Sequence, residues 1–268
     1  MTGFAMGPAL LFCPADRPER YEKAAARADA VILDLEDAVS ADAKPAARFS
    51  LTDIPLDPRR TIVRLNPVGT DDLREDLRAL MATPYRTVML AKTASAEDVR
   101  LLARYDVIAL VETAAGVVNA AAIAGEPNVI GLMWGAEDLV ASLGGTSSRH
   151  ADGRYRDVAM HARSTVLLAA GAHGKAAIDA VHLDIADGDG LAREAADAAA
   201  SGFAATACIH PSQVAVIRTA YRPDEAEVEW ARALLEAARG ERGVFRWEGR
   251  MVDAPVLRHA ERVVQRAG

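Results

Sequence analysis

Short apolar runs, each long enough for one buried strand, alternate along most of the chain with stretches whose hydrophobic positions recur at helical spacing. The runs fall at residues 9–13, 30–37, 61–67, 87–92, 107–113, 128–139, 177–184 and 205–211. Helical patterns follow them at 19–28, 43–49, 70–81, 96–102, 114–124, 158–172 and 190–200, and an eighth starts near Ser212. Strands that read as continuous apolar segments belong to parallel sheets covered on both faces. Eight strand-then-helix units with short connections predict an α/β fold closed into a parallel (β/α)8 barrel, because doubly wound sheets of this length usually show fewer repeats.

Asp16 and Pro18 are the start signals of the first helix, as cap and first-turn proline. Residues 143–153 are polar, Gly-rich and too many for a tight turn, which predicts a mobile insertion over the rim. The repeat stops near residue 222. Beyond it come a helix at 224–239, an extended piece around Gly249 at 244–252 and a last helix at 254–265. The expected division is therefore a catalytic barrel at 1–222 and a C-terminal helical extension at 223–268 that packs on a neighbouring subunit.

In a barrel the C-terminal strand ends converge on one mouth, so the polar residues there are the candidate chemistry. They are Glu36, Asp37, Arg64, Lys92, Glu112, Asp138, Asp184 and His210. Glu112 and Asp138 each close a buried run on successive strands. Taken singly, either is as readily a helix N-cap; together on one rim they predict a metal site. Mg²⁺ is held by one or two carboxylates and completes its shell with water and substrate oxygens, whereas zinc would ask for nearby His or Cys.

Arg64 ends a buried strand and must find an anion there. A salt bridge to Glu36 or Asp37 and a substrate oxygen both qualify, and its donors suffice for both. Lys92 admits a Schiff-base reading, which would make the protein a metal-independent aldolase, but the adjacent acids favour metal-assisted chemistry. His210 before Pro211 reads as a loop-positioning residue, and Asp184 as a cap or ion-pair partner. Arg17, Arg20 and Lys23 beside the first strand's loop form a solvated helix face placed where a phosphate can bind.

Composition narrows the partners. A net charge of −7 over 268 residues disfavours nucleic acid or an anionic membrane surface as the main partner, while a local arginine can still hold an anionic small molecule. Cys13 and Cys208 sit apart in apolar runs, as buried thiols of a reducing compartment do. No apolar segment approaches the roughly 18 residues of a membrane span, and no basic-then-apolar leader opens the sequence, so a cytoplasmic location is expected.

Seven blocks then run in order along nearly the whole chain: residues 12–24, 33–38 with Lys44, Val63-Arg64-Leu65-Asn66, 111–116, Gly135-Ala136-Glu137-Asp138-Leu139, Ile209-His210-Pro211-Ser212-Gln213 and 249–255. They resemble the citrate lyase beta-subunit-like family, which includes malyl-CoA and citramalyl-CoA lyases. The resemblance implies a TIM barrel, Mg²⁺ dependence, a homotrimer or a multiple of it, and reversible cleavage of a 3-hydroxyacyl-CoA to an acyl-CoA and a keto acid or ketone.

By matching positions it implies Glu112 and Asp138 as metal ligands, with Glu112 also lining the substrate position. Arg64 would stabilise charge on the reacting oxygens, with Glu36 and Asp37 holding Arg64 and water around the metal. The backbone of Gly135, Ala136 and Glu137 would contact the keto acid's carboxylate. Pro14, Arg17, Arg20, Lys23, His210 and Pro211 would contact CoA. Asp253 would move a proton from a neighbouring subunit, although Pro255 two residues on suits it equally as a helix cap. Ala91 and Thr206 stand where the family often has Pro and Lys, so the reaction type carries over better than the substrate. Two further readings stay open: the lyase chain of a citrate lyase complex acting on a carrier-protein thioester, and a CoA-thioester-binding protein without turnover. Thioester hydrolysis is a possible companion reaction.

Overall fold

The computed structural model describes residues 4–267, and the chain divides into two compact units with the boundary between Ile217 and Arg218. In the first unit the predicted strands close on themselves: β1 (Ala9–Pro14), β2 (Ala30–Asp34), β3 (Thr61–Leu65), β4 (Thr87–Leu90), β5 (Asp106–Val111), β6 (Val129–Trp134), β7 (Ala176–Asp179) and β8 (Ala205–Cys208). Each pairs in parallel with the next, and β8 pairs with β1. This is the (β/α)8, or TIM, barrel.

The helices are α1 (Tyr21–Arg27), α2 (Lys44–Asp53), α3 (Asp71–Leu80), α4 (Ala96–Arg100), α5 (Ala114–Ala124), α6 (Ala136–Ser142) and α7 (Asp157–Ala172), both between β6 and β7, then α8 (Gly188–Ser201) and α9 (Pro211–Tyr221). None of the described helices is long and apolar enough to cross a membrane.

One cluster draws residues from all eight strands, among them Leu10, Ile32, Ile62, Met89, Leu110, Met133, Ile178 and Ala207. A cluster shared by every strand is the barrel's interior, where each fully buried aliphatic side chain contributes about 1.5–3 kcal/mol. Because side chains alternate across a strand, the residue two positions beyond each of these also points inward. Above Ile32 that residue is Asp34, above Ile62 it is Arg64, above Leu110 it is Glu112 and above Met133 it is Gly135. The mouth is thus the last inward layer of the same ladder.

The second unit has its own core of Ala231, Leu234, Val252, Ala260 and Val263. Asp224 caps α10 (Glu225–Ala237) in a capping box with Glu227. The expected extended piece is a two-stranded hairpin, β9 (Phe245–Trp247) and β10 (Arg250–Val252), turning at Glu248 and Gly249, both with positive φ. Helix α11 (Ala254–Ala267) closes the unit.

Four expectations need correction. Asp16 caps nothing: the first turn is a 3-10 turn at Pro18–Arg20 entered from Arg17 without a side-chain cap, and Asp16 lies 3.7 Å from Arg17. Strand β4 stops at Leu90, leaving Lys92 in a turn. Strand β7 stops at Asp179, and Asp184 sits in the following loop, where it accepts from the Ala186 amide at 2.9 Å. The apolar residues Val181 and Leu183 had extended that run, but they belong to the loop. Residues 143–153 are tied down: Arg149 donates to the Gly153 carbonyl at 2.7 Å, pairs with Glu194 and lies 3.7 Å from the Tyr155 ring.

Candidate active site

Arg64 is held from two sides. Its Nε donates to Asp34 Oδ1 at 2.7 Å, a second nitrogen bonds Asp34 Oδ2, and Nη1 lies 3.1 Å from Glu36 Oε2. The guanidinium stands 4.8 Å from the Phe12 ring centroid. Burial works against the charge, but Asp34 and then Glu36 outweigh it and keep Arg64 firmly cationic. Asp34, fully buried, also accepts from the amides of Glu36 at 2.9 Å and Ala38 at 3.1 Å, so all its capacity is used. It is the principal partner of Arg64, a role expected of Glu36 or Asp37; Glu36 shares the arginine, and Asp37 pairs with Lys92 instead, at 3.2 Å.

Behind this pair runs a buried relay. Lys44 Nζ donates to the Leu35 and Glu36 carbonyls at 2.8 and 3.2 Å and to Asn66 Oδ1 at 2.6 Å. Asn66 Nδ2 in turn donates to Leu35 O and to Asp76 Oδ2. The relay joins the loop after β2, which carries Glu36, to Asn66 in the loop just beyond β3, the strand that carries Arg64.

Across the mouth, neither acid of the expected pair is a helix cap. Thr113 caps α5, accepting from the Gly116 amide, and Gly135 precedes α6 with no side-chain cap. Glu112 is 3 % exposed, and its Oε1 accepts from the Lys92 amide at 2.9 Å. A Cβ on Gly135 would lie 2.7 Å from Glu112 Oε2, so the glycine makes the room this carboxylate occupies. Burial, and then the charge of Asp138, push Glu112 up to about 8. Asp138 is more open, and its Oδ1 lies 3.4 Å from Lys92 Nζ.

Two neighbouring carboxylates of which one is buried and raised are the donor set a divalent cation relieves. Among the described residues no group of three or more His, Cys, Asp or Glu forms a ready cage. Two carboxylates with the remaining positions left to water and substrate suit Mg²⁺ rather than Zn²⁺ or a full Ca²⁺ shell.

Lys92 has φ of 51° and bonds Glu36 through Nζ besides the contacts already given. Burial favours its neutral form, but Glu36, then Glu112 and Asp138, outweigh that and raise its pKa. A firmly protonated ammonium is a poor Schiff-base nucleophile, which removes the main support of the aldolase reading. The same lysine holds Asp37 below the usual carboxylate range against the opposing effect of burial.

Other expected residues lie elsewhere on the rim. Pro14 ends β1, while the side chains of Arg17 and Arg20 stand open in the loop that follows, with Lys23 exposed on α1. His210 Nδ1 meets Ser212 Oγ at 2.7 Å in the turn before Pro211 opens α9. That turn is fixed by Gln213, whose oxygen accepts from the Ile209 and His210 amides. Ala136 and Glu137 form the first turn of α6, and the Glu137 carboxylate accepts from Ser148 Oγ at 2.5 Å. In the second unit, Asp253 Oδ1 accepts from the Val256 amide at 3.3 Å, as a cap of α11.

A closed parallel barrel whose mouth gathers an ion-paired arginine and two carboxylates, Glu112 just beyond β5 and Asp138 in the first turn of α6, has the layout of a barrel enzyme. The HpcH/HpaI aldolase/citrate lyase family model matches residues 9–211, and the chain belongs to that family. A citrate lyase subunit beta-like protein of Mycobacterium tuberculosis (strain ATCC 25618 / H37Rv) is 63% identical over 264 residues, covering 98% of this chain and 97% of that one. The mitochondrial citramalyl-CoA lyase of Homo sapiens is 32% identical over 290 residues, covering 96% and 84%. The crystal structure of the M. tuberculosis protein CitE in complex with magnesium, acetoacetate and coenzyme A superposes with a TM-score of 0.94 at 63% identity, covering 98% of this chain and 99% of that one.

Proposed function

We propose that the chain is a Mg²⁺-dependent carbon–carbon lyase that cleaves, or in reverse condenses, a 3-hydroxyacyl-CoA to an acyl-CoA and a keto acid or ketone. The observation that carries this is the mouth of the barrel, where Arg64, ion-paired with Asp34 and Glu36 but with donors to spare, shares the rim with the Glu112 and Asp138 carboxylates. Relatives described as acting on citramalyl-CoA and as binding magnesium, acetoacetate and coenzyme A support the same chemistry.

In the cleavage direction the substrate hydroxyl loses its proton, the carbon–carbon bond breaks to leave a carbonyl, and the electron pair passes to the thioester as an enolate that is then protonated at carbon. Glu112 and Asp138 would hold the divalent ion, which when bound supplies Lewis-acid polarisation of the keto oxygen. Arg64 would stabilise the enolate oxygen as a preorganised cation that needs no reorientation. The Gly135–Glu137 turn would orient the keto acid's carboxylate. Arg17, Arg20 and Lys23 would meet the CoA phosphates, with Pro14, His210 and Pro211 beside them. Asp253 would supply or take the carbon proton from a neighbouring copy in a trimer or a multiple of one.

Incubation with malyl-CoA, citramalyl-CoA and hydroxymethylglutaryl-CoA, with and without Mg²⁺, followed by mass spectrometry of the thioesters, tests the proposal. Mg²⁺-dependent release of an acyl-CoA is expected. Cleavage of a carrier-bound citryl thioester alone would instead favour the citrate lyase chain, and tight binding without turnover a binding protein.

A further inference from the structure

The mouth holds more carboxylates than a Mg²⁺ site uses. Asp34 is consumed by Arg64 and two backbone amides. That leaves Glu36, Asp37, Glu112 and Asp138, and every one of the four contacts Lys92: the first two and Asp138 through Nζ, Glu112 through the backbone amide. Resting on the metal-site reading above, we propose that Lys92 is a metal-selectivity residue. It keeps Glu36 and Asp37 as its own counter-ions, so that only Glu112 and Asp138 serve the divalent ion.

The local backbone is built for this. After β4 ends at Leu90, the Thr93 amide donates to the Leu110 carbonyl at 3.0 Å and Thr93 Oγ1 to Leu90 O at 2.8 Å. Between them Lys92 adopts a left-handed conformation that is unfavourable for a non-glycine residue. That turn aims its amide at Glu112 while its side chain crosses to the β2 end. A single residue thereby spaces both sides of the mouth.

The consequence follows from coordination chemistry. Mg²⁺ demands six close, nearly octahedral ligands and tolerates few carboxylates, whereas Ca²⁺ accepts six to eight oxygens in a looser shell. Without the ammonium, Asp37 loses its ion-pair partner and Glu36 keeps Arg64 on Oε2 alone, so Asp37 and Glu36 Oε1 become available as ligands. The site then gains charge and ligand count, favours Ca²⁺, and fills positions that substrate oxygens require.

Calorimetric titration of the full chain with Mg²⁺ alone and with Ca²⁺ alone tests this in K92M and K92R, after circular dichroism confirms their fold. K92M should bind Ca²⁺ at least about tenfold more tightly than wild type with a smaller gain for Mg²⁺, since ligand charge moves Ca²⁺ affinity over decades. K92R, which keeps the charge, should stay near the wild-type ratio. Should K92M not fold, K92Q is read in the same way. An unchanged Ca²⁺ to Mg²⁺ ratio, or weaker binding of both in the neutral variant, overturns the role of Lys92. Failure of wild type to bind Mg²⁺, or undiminished binding in D138N, overturns the metal-site reading instead.

Discussion

Two arginine–aspartate pairs in the barrel look alike and do opposite things. Asp34 ends β2 and Asp179 ends β7; both are buried, and each takes two nitrogens of one arginine, Arg64 or Arg163. Asp34 lies two residues beyond the inward Ile32, so it faces the mouth. Asp179 lies one residue beyond the inward Ile178, so it faces the helices. There Arg163 of α7 also bonds Asp197 of α8 at 2.7 Å, and Trp134 Nε1 donates to Asp179. A step of one residue along a strand turns a pair that faces the mouth into a strut between sheet and helices.

The largest expected effect tests the strut. Arg163→Ala leaves Asp179 buried without its charge partner and should cost about 3–5 kcal/mol of stability, read by urea unfolding, while kcat of the folded enzyme stays within a few-fold of wild type. Loss of turnover at wild-type stability would break the comparison. Arg64→Ala should lower kcat by about 10²–10³-fold, as removal of an oxyanion-stabilising group does. It should also destabilise the fold, because Asp34 is stranded in turn, and Asp34→Asn in the same chain should return part of that stability but none of the turnover.

Gly135→Ala places a methyl 2.7 Å from Glu112 Oε2 and 2.9 Å from its Cβ. The displaced carboxylate should weaken Mg²⁺ binding, with a stability loss of about 1–3 kcal/mol from overpacking; calorimetry and thermal unfolding read the two parts. A wild-type Mg²⁺ affinity in this variant would detach Glu112 from the metal.

Acidity separates the two sides of the mouth as well. Because burial and Asp138 raise Glu112 from 4.5 to about 8, the folded state binds its proton more tightly than the unfolded chain. The stability this adds is fully present below pH 4.5 and fades as pH rises to about 8. Metal-free protein should therefore lose melting temperature over that window, and Mg²⁺, which needs the carboxylate, should restore progressively more of it. Parallel melting curves with and without Mg²⁺ would contradict this. Smallest of all, Arg59→Ala removes an exposed, solvent-screened pair with Asp57 at 3.0 Å and should leave the thermal unfolding curve where it is in wild type.

The barrel was legible because eight apolar runs of strand length recur between helical patterns, and closure follows from their number. Glu112 and Arg64 were legible for the same reason as their inward neighbours Leu110 and Ile62. Asp34 carried the same period-two signal, but the acids at Glu36 and Asp37 made the second strand look longer than it is. The turn at Lys92 had no signal, since a left-handed conformation at a lysine is set by the partners around it and not by propensity. The end of β7 was hidden because Val181 and Leu183 continue an apolar rhythm after the ladder has stopped.

The central claim is that Glu112, just beyond β5, and Asp138, in the first turn of α6 beyond β6, share one divalent ion. Crystals grown with Mn²⁺ in place of Mg²⁺ test it through anomalous scattering. The account predicts one strong peak bonded to an oxygen of Glu112 and an oxygen of Asp138, lost in D138N. A peak seated elsewhere, or one that survives D138N undiminished, would contradict it.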